Sequence, residues 1–78
     1  MIENFGVFTS EKQLKKIINK VKRSKLNYKG VMELNPFQRC MLNIHIDIPK
    51  MYCVVLEGES EQFDNFCKKN KNFMIRTS

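Results

Sequence analysis

No stretch of this sequence is apolar for long enough to cross a bilayer. Its most apolar run, Met51-Tyr52-Cys53-Val54-Val55-Leu56, has six residues, where a membrane helix needs about 20. The three cysteines, Cys40, Cys53 and Cys67, cannot all pair, and none has a CxxC spacing. A disulfide framework is therefore excluded as the organising device, which points to a reducing compartment. Met1-Ile2-Glu3-Asn4-Phe5 lacks the basic start and long apolar core of a secretory signal. There is no internal repeat, low-complexity segment or linker, so residues 1–78 are read as one domain of a soluble, cytoplasmic protein. At this length only about 60 % of the unfolded chain's surface can be buried, and the core must be modest.

Acidic residues are missing from one region altogether. Residues 12–29 hold eight Lys or Arg and no Asp or Glu. Residues 30–67 hold Arg39 and Lys50 against six acids, and residues 68–78 add Lys68, Lys69, Lys71 and Arg76. A net charge of +6 is thus polarised into a basic first third, an acidic-to-neutral middle and a basic end. Such polarity suits a molecule with one face toward phosphates. The plainer alternative is a solvated, lysine-rich helix face.

The periodicities place the elements. Ser10-Glu11-Lys12-Gln13 reads as a capping box, in which Ser10 accepts from an early backbone N–H and Gln13 reaches back to the cap. Leu14, Ile17, Ile18 and Val21 then form one apolar stripe of a helix. Lys12, Lys16 and Arg23 lie opposite it, flanked by Lys15 and Lys20. Lys22, Arg23 and Lys25 crowd the C-terminal turn, where the helix dipole favours cations, but Lys12, Lys15 and Lys16 sit where it disfavours them. Tyr28 to Leu34 reads as a strand with Tyr28, Met32 and Leu34 on one side, and Gly30 inside it marks a bulge or a close backbone approach. Asn35-Pro36 is a turn signal.

Cys40, Leu42, Ile44, Ile46 and Ile48 alternate with Met41, Asn43, His45 and Asp47, the pattern of a half-buried strand. Met51 to Leu56 is a buried strand, and two registers for the hairpin around Pro49 are open. A two-residue loop would pair Ile46 with Cys53. A three-residue loop sets Tyr52, Val54 and Leu56 beside Ile46, Ile44 and Leu42, and is preferred because proline fits primed turns poorly. A second helix follows Gly58, with Glu59, Glu61 and Asp64 early, Lys68, Lys69 and Lys71 late, and Phe63, Phe66 and Cys67 as its stripe. Asn72 to Thr77, with Phe73 and Ile75 alternating against Met74 and Arg76, reads as a last strand. The expected class is α+β in two layers, with helices packed on one face of a small, mainly antiparallel sheet. The element order is α-β-β-β-α-β, and residues 1–9 form an arm or a short additional strand.

No catalytic constellation emerges. His45 should point away from the face that carries Cys40, so neither a zinc site nor a Cys–His nucleophile assembles, and the cysteines read as buried small apolar residues. Val54-Val55-Leu56-Glu57-Gly58 followed by an acidic helix is similar to acylphosphatases. Those enzymes need a phosphate-holding arginine after the first strand, however, and Gly6-Val7-Phe8-Thr9 supplies none. A non-enzyme without metal or cofactor is expected.

The chain resembles the eukaryotic large-subunit ribosomal protein thirty-eight family over roughly Leu14 to Ile75. The likeness lies in the element order, the basic cluster Lys22-Arg23-Ser24-Lys25, the Asn35-Pro36 turn, the run Met51 to Leu56 and the acidic start Glu59-Ser60-Glu61. Two departures stand out. Met41, Asn43, His45 and Asp47 occupy a strand that is rich in Lys and Arg in the family, and Asn70-Lys71-Asn72 replaces a loop containing glycine and proline. The resemblance implies a structural protein bound to large-subunit rRNA among neighbouring ribosomal proteins, with neither membrane nor small-molecule substrate. Phosphate contacts would come from Lys12, Lys15, Lys16, Lys20, Arg23 and Lys25, with Lys29 beside them and Lys68, Lys69 and Lys71 from the second helix end. Two alternatives stand beside it. One is a small RNA-binding subunit of the signal recognition particle Alu domain. The other is a protein-binding regulatory or inhibitor module using the strand face around Asn43, His45 and Asp47.

Overall fold

Ser10 ends a strand and begins a helix in the same residue. Residues 1–44 and 48–75 are described by the computed structural model of the chain. The first segment is a full strand, β1 (Glu3–Ser10), and not a loose arm. Its last residue caps α1 (Glu11–Arg23) by accepting from the Gln13 backbone N–H at 3.3 Å. The reciprocal half of the expected capping box is absent, since the Gln13 side-chain oxygen is buried without a partner. Ser24 closes the helix: its hydroxyl donates to the Val21 carbonyl at 2.6 Å and accepts from the Leu26 N–H at 3.1 Å. That turn drives Leu26 into the core and starts β2 (Asn27–Leu34).

The next element corrects the sequence reading. Cys40 and Met41, where a strand was expected to begin, instead end a short helix, α2 (Pro36–Met41). Asn35 and Gln38 form a capping box, each backbone N–H donating to the other's side chain at 2.8–2.9 Å, with Pro36 at the first helical position. Asn43, at φ 57°, ends the helix in the left-handed region. Its N–H donates to the Cys40 carbonyl and that of Ile44 to the Arg39 carbonyl, the Schellman pattern of helix termination. Ile44 then turns inward and is buried. Both hairpin registers proposed around Pro49 fail on Cys40–Ile44, and their pairs at His45, Ile46 and Asp47 lie outside the described residues.

The run Met51 to Leu56 becomes β3 (Met51–Gly58), the middle of a three-stranded sheet in the order β1-β3-β2. Both neighbours are antiparallel to it, with Val7 and Val31 opposite Val54 and Phe5 and Tyr28 opposite Leu56. β1 and β2 are therefore parallel to each other, joined by α1, with β3 inserted between them in a split β-α-β arrangement. With both edges taken, β3 has no place for a further strand. After α3 (Ser60–Asn70) comes a single 3₁₀ turn, Lys71–Phe73, where a last strand was expected. Ile75 bridges to β1, its N–H donating to the Phe8 carbonyl at 2.7 Å, and Arg76 and Thr77 lie outside the described residues. The class is α+β, as expected, with the order β-α-β-α-β-α. No described helix is long and apolar enough to cross a membrane.

The two longer helices share one sheet face. Ile17 and Val21 of α1 and Phe66 of α3 pack with Val7, Val54, Leu56 and Leu26 in the main cluster, and the Phe5 and Phe63 rings stack at 4.2 Å. The opposite face is also covered, by a smaller cluster of Leu34, Ile44, Met51 and Cys53 with Phe8, Ile48, Val55 and Ile75 against it. β2 reaches both clusters through a bulge. Lys29 is the extra residue between the Tyr28–Leu56 and Gly30–Val55 pairs, and Gly30 takes φ 149° there. One inserted residue reverses the side-chain parity, so Tyr28 and Leu34 face opposite ways and do not share the single side that plain alternation predicts. Leu56→Ala should cost about 2–5 kcal/mol, whereas Phe37→Ala, on the solvent side of α2, should stay within about 0.5 kcal/mol. Urea midpoints test this contrast, and equal losses would contradict the assignment of the core to β3.

Candidate nucleic-acid interface

The apolar stripe of α1 fixes where its cations go. With Ile17 and Val21 fully buried, Lys12, Lys15, Lys16, Lys22 and Arg23 stand exposed and Lys20 is half-buried. The only other charged residue of this helix is Glu11, in its first turn. Among the described residues, ion pairs join the Met1 ammonium to Glu59 at 2.9 Å and Lys29 to Glu57 at 3.9 Å. None involves a cation of α1, nor Lys25, Lys68, Lys69 or Lys71. Exposed and unneutralised charges this close repel one another over a screening length of about 8 Å. Such a surface is relieved by an incoming polyanion.

Aromatic rings, not carboxylates, steady three of these cations. The Lys16 and Lys20 ammoniums lie 5.8 and 4.8 Å from the centre of the Phe73 ring, and Lys22 lies 5.5 Å from that of Tyr28. Each contact is worth about 0.5–1 kcal/mol at an exposed site and leaves the positive charge in place. Phe73 reaches this position because the 3₁₀ turn after α3 folds back onto α1, where its carbonyl also accepts from the buried Thr9 hydroxyl at 3.1 Å.

Not all the expected residues assemble. Lys20, Arg23 and Lys25 meet Lys69 across a groove of about 1100 Å³ between the end of α1 and α3, whose far end carries Glu59 and Glu61. Lys12, Lys15 and Lys16 continue the basic ridge along α1. Lys29 is set apart by its pairing with Glu57 on the bulged edge. Lys71 lines a separate cavity of about 320 Å³ with Phe63, Cys67 and Met74. Lys68 is exposed on α3 and lines neither space. Sequence reasoning missed the contribution of Lys22, which it assigned to the helix dipole, and the part played by Phe73, which it placed in a strand. The 3.6-residue period does place Lys22 beside Lys15 on one flank of the ridge.

Burial acts on two thiols and one phenol. Cys53 is buried, Cys67 half-buried and Cys40 exposed. Burial pushes the Cys53 thiol above its usual value; burial and then the charge of Asp64 do the same for Cys67. The Tyr52 hydroxyl is raised by burial and then by Glu11, with Glu33 adding to it and Lys50 opposing. No three His, Cys, Asp or Glu among the described residues converge as metal ligands, and His45 lies outside those residues. The arrangement offers charge and shape.

The fold and the ridge together define a small α+β protein with a basic helix laid over a split β-α-β sheet. No family model matches the chain, and no curated protein or solved structure matches it.

A thiol whose pKa is raised on folding adds stability that is complete below the ordinary thiol range, about 8.5. That stability is lost as pH rises through the higher folded value. As pH rises above about 8.5 the protein should lose stability, and Cys53→Ala/Cys67→Ala should lose less. Urea unfolding at several pH values checks this, and identical pH profiles would refute it.

Proposed function

We propose that this chain is a non-catalytic RNA-binding protein that holds RNA phosphates on the exposed face of α1. The observation that carries the reading is the ridge of cations without carboxylate partners among the described residues, Lys12, Lys15, Lys16, Lys20, Lys22 and Arg23, extended by Lys25 and Lys69 across the groove. Backbone contacts of this kind position a protein on RNA without reading its sequence. The sheet is not the binding surface. In single-strand readers built on a four-stranded sheet, aromatics of the open face stack bases. Here Phe8, Leu34, Cys53 and Val55 of the corresponding face pack against Ile44, Ile48 and Ile75, and the half-exposed Met32 beside Cys53 offers no ring for stacking.

By its resemblance to the ribosomal protein thirty-eight family, the particle is the large ribosomal subunit. The partners are then rRNA and neighbouring ribosomal proteins, in the cytoplasm. A small subunit of the signal recognition particle Alu domain is the rival within the same chemistry. Sedimentation of cell extract on a sucrose gradient separates these readings. Migration with large subunits supports the first and migration in a small RNA-containing particle supports the rival. A position near the top, unchanged by ribonuclease, refutes both.

A second reading, a protein-binding module, draws on α2: of the strand face expected for it, Asn43 lies in the turn that ends this helix and His45 and Asp47 lie outside the described residues. Phe37 and Met41, one turn apart, are 72 % and 70 % exposed. That helix is held by its caps and by Arg39, which donates to the Ile48 and Pro49 carbonyls at 2.7 and 3.3 Å.

Lys12→Glu/Lys16→Glu/Arg23→Glu should leave the fold intact and weaken RNA binding by well over tenfold. The slope of log affinity against log salt should also become shallower by about 0.7–0.9 for each phosphate that is no longer neutralised. Unaltered affinity in a titration with labelled RNA would rule out α1 as the contact surface.

A further inference from the structure

We infer that the ridge of α1 takes RNA in its double-helical form in preference to single strands. This rests on the RNA reading above and specifies the form of the ligand.

Proteins that hold single strands combine a basic groove with aromatic rings on which successive bases stack. On the basic side of this protein the rings are already occupied. Phe73 lies beneath Lys16 and Lys20, Tyr28 beneath Lys22, and Phe5 is stacked on Phe63 with 7° between the ring planes. Phe66 is buried. Tyr52 carries Glu11 and Glu33 close enough to raise its pKa, and their charges would repel a phosphate chain. The one aromatic residue largely open to solvent is Phe37, on α2, whose chain continues through Ile44 into the cluster on the other side of the sheet. A single strand laid on α1 would therefore gain phosphate contacts and little stacking.

A duplex makes different demands. In duplex DNA both strands together present about one charge per 1.7 Å of axis, and an RNA duplex likewise carries twice the charge of either of its strands over the same length. Double-stranded RNA is recognised by phosphates and 2′-hydroxyls across a wide, shallow minor groove. A helix of 13 residues is about 20 Å long. The cations of α1 spread across its exposed face, with Lys15 and Lys22 on one flank, Lys20 on the other, and Lys12, Lys16 and Arg23 along the crest between them. Charge of that width faces two rows of phosphate, where a single strand would engage one. Beside the crest stands Asn19, the one uncharged exposed residue of α1, with a donor and an acceptor to offer a 2′-hydroxyl.

The test uses the full chain and three labelled probes of equal length: a perfect RNA stem-loop, an RNA of scrambled sequence with no pairing, and the DNA stem-loop. Affinities are measured by fluorescence anisotropy over a range of salt. The RNA stem should bind about tenfold or more tightly than the unpaired strand, with the steeper salt dependence. Asn19→Ala should reduce affinity for the RNA stem and leave that for the DNA stem unchanged. Equal or tighter binding of the unpaired strand would overturn the duplex inference and leave the RNA reading standing. Equal sensitivity of both stems to Asn19→Ala would overturn the role of the 2′-hydroxyl. Failure to bind either RNA at low salt would overturn the inference and the RNA reading together.

Discussion

The structure depends on the placement of one strand. β3 is hydrogen-bonded along both edges and covered on both faces, with Val54 and Leu56 toward the long helices and Met51 and Cys53 toward the smaller cluster. In a chain of 78 residues this is the most economical way to build a core, because a central strand gives its apolar surface to two layers at once. The elements around it are positioned by what they must do for β3: β1 and β2 satisfy its backbone, α1 and α3 cover one side, and Ile44 and Ile48 cover the other. Space near Gly58 at the end of the strand is equally constrained. A Cβ there would lie 2.5 Å from a methyl of the buried Leu26.

This division of labour leaves the charge free. Because α1 is held by a stripe of four apolar residues, its charged side chains are released from structural duty, and the cations can be as dense as their mutual repulsion allows. Phe73 and Tyr28 lower that cost without neutralising anything, since a ring face attracts an ammonium and offers no counter-charge. Carboxylates in the same places would have stabilised the helix more and left a surface of little use to an anion.

Much of this was legible in the sequence. Ser10 as a cap, the stripe Leu14-Ile17-Ile18-Val21, the buried run at Met51 and the charge order of α3 each carry a local signal that agrees with the tertiary structure. The misreading at residues 40–44 came from giving periodicity more weight than capping. Asn35-Pro36-Phe37-Gln38 contains a cap, a proline at the first helical position and a glutamine at the third, a complete start signal. The alternation of Cys40, Leu42 and Ile44 is a coincidence of a short helix, its Schellman turn and one inward-facing isoleucine. The two-sided burial of β3 could not be read from alternation, because a strand covered on both faces has none. At the candidate interface, the ridge residues follow from helical period alone. The groove partner Lys69 and the ring contacts of Phe73 depend on how α3 and its final turn fold back, and no local pattern records that.

The bulge at Lys29 has an effect on how the molecule comes apart. By reversing parity within a single strand, it makes β2 deliver Tyr28 to the core beneath the helices and Leu34 to the core on the far side. The two clusters are then tied by a continuous backbone ladder as well as by β3. Loosening either one pulls on the hydrogen bonds that anchor the other, so the two small cores melt as one cooperative unit.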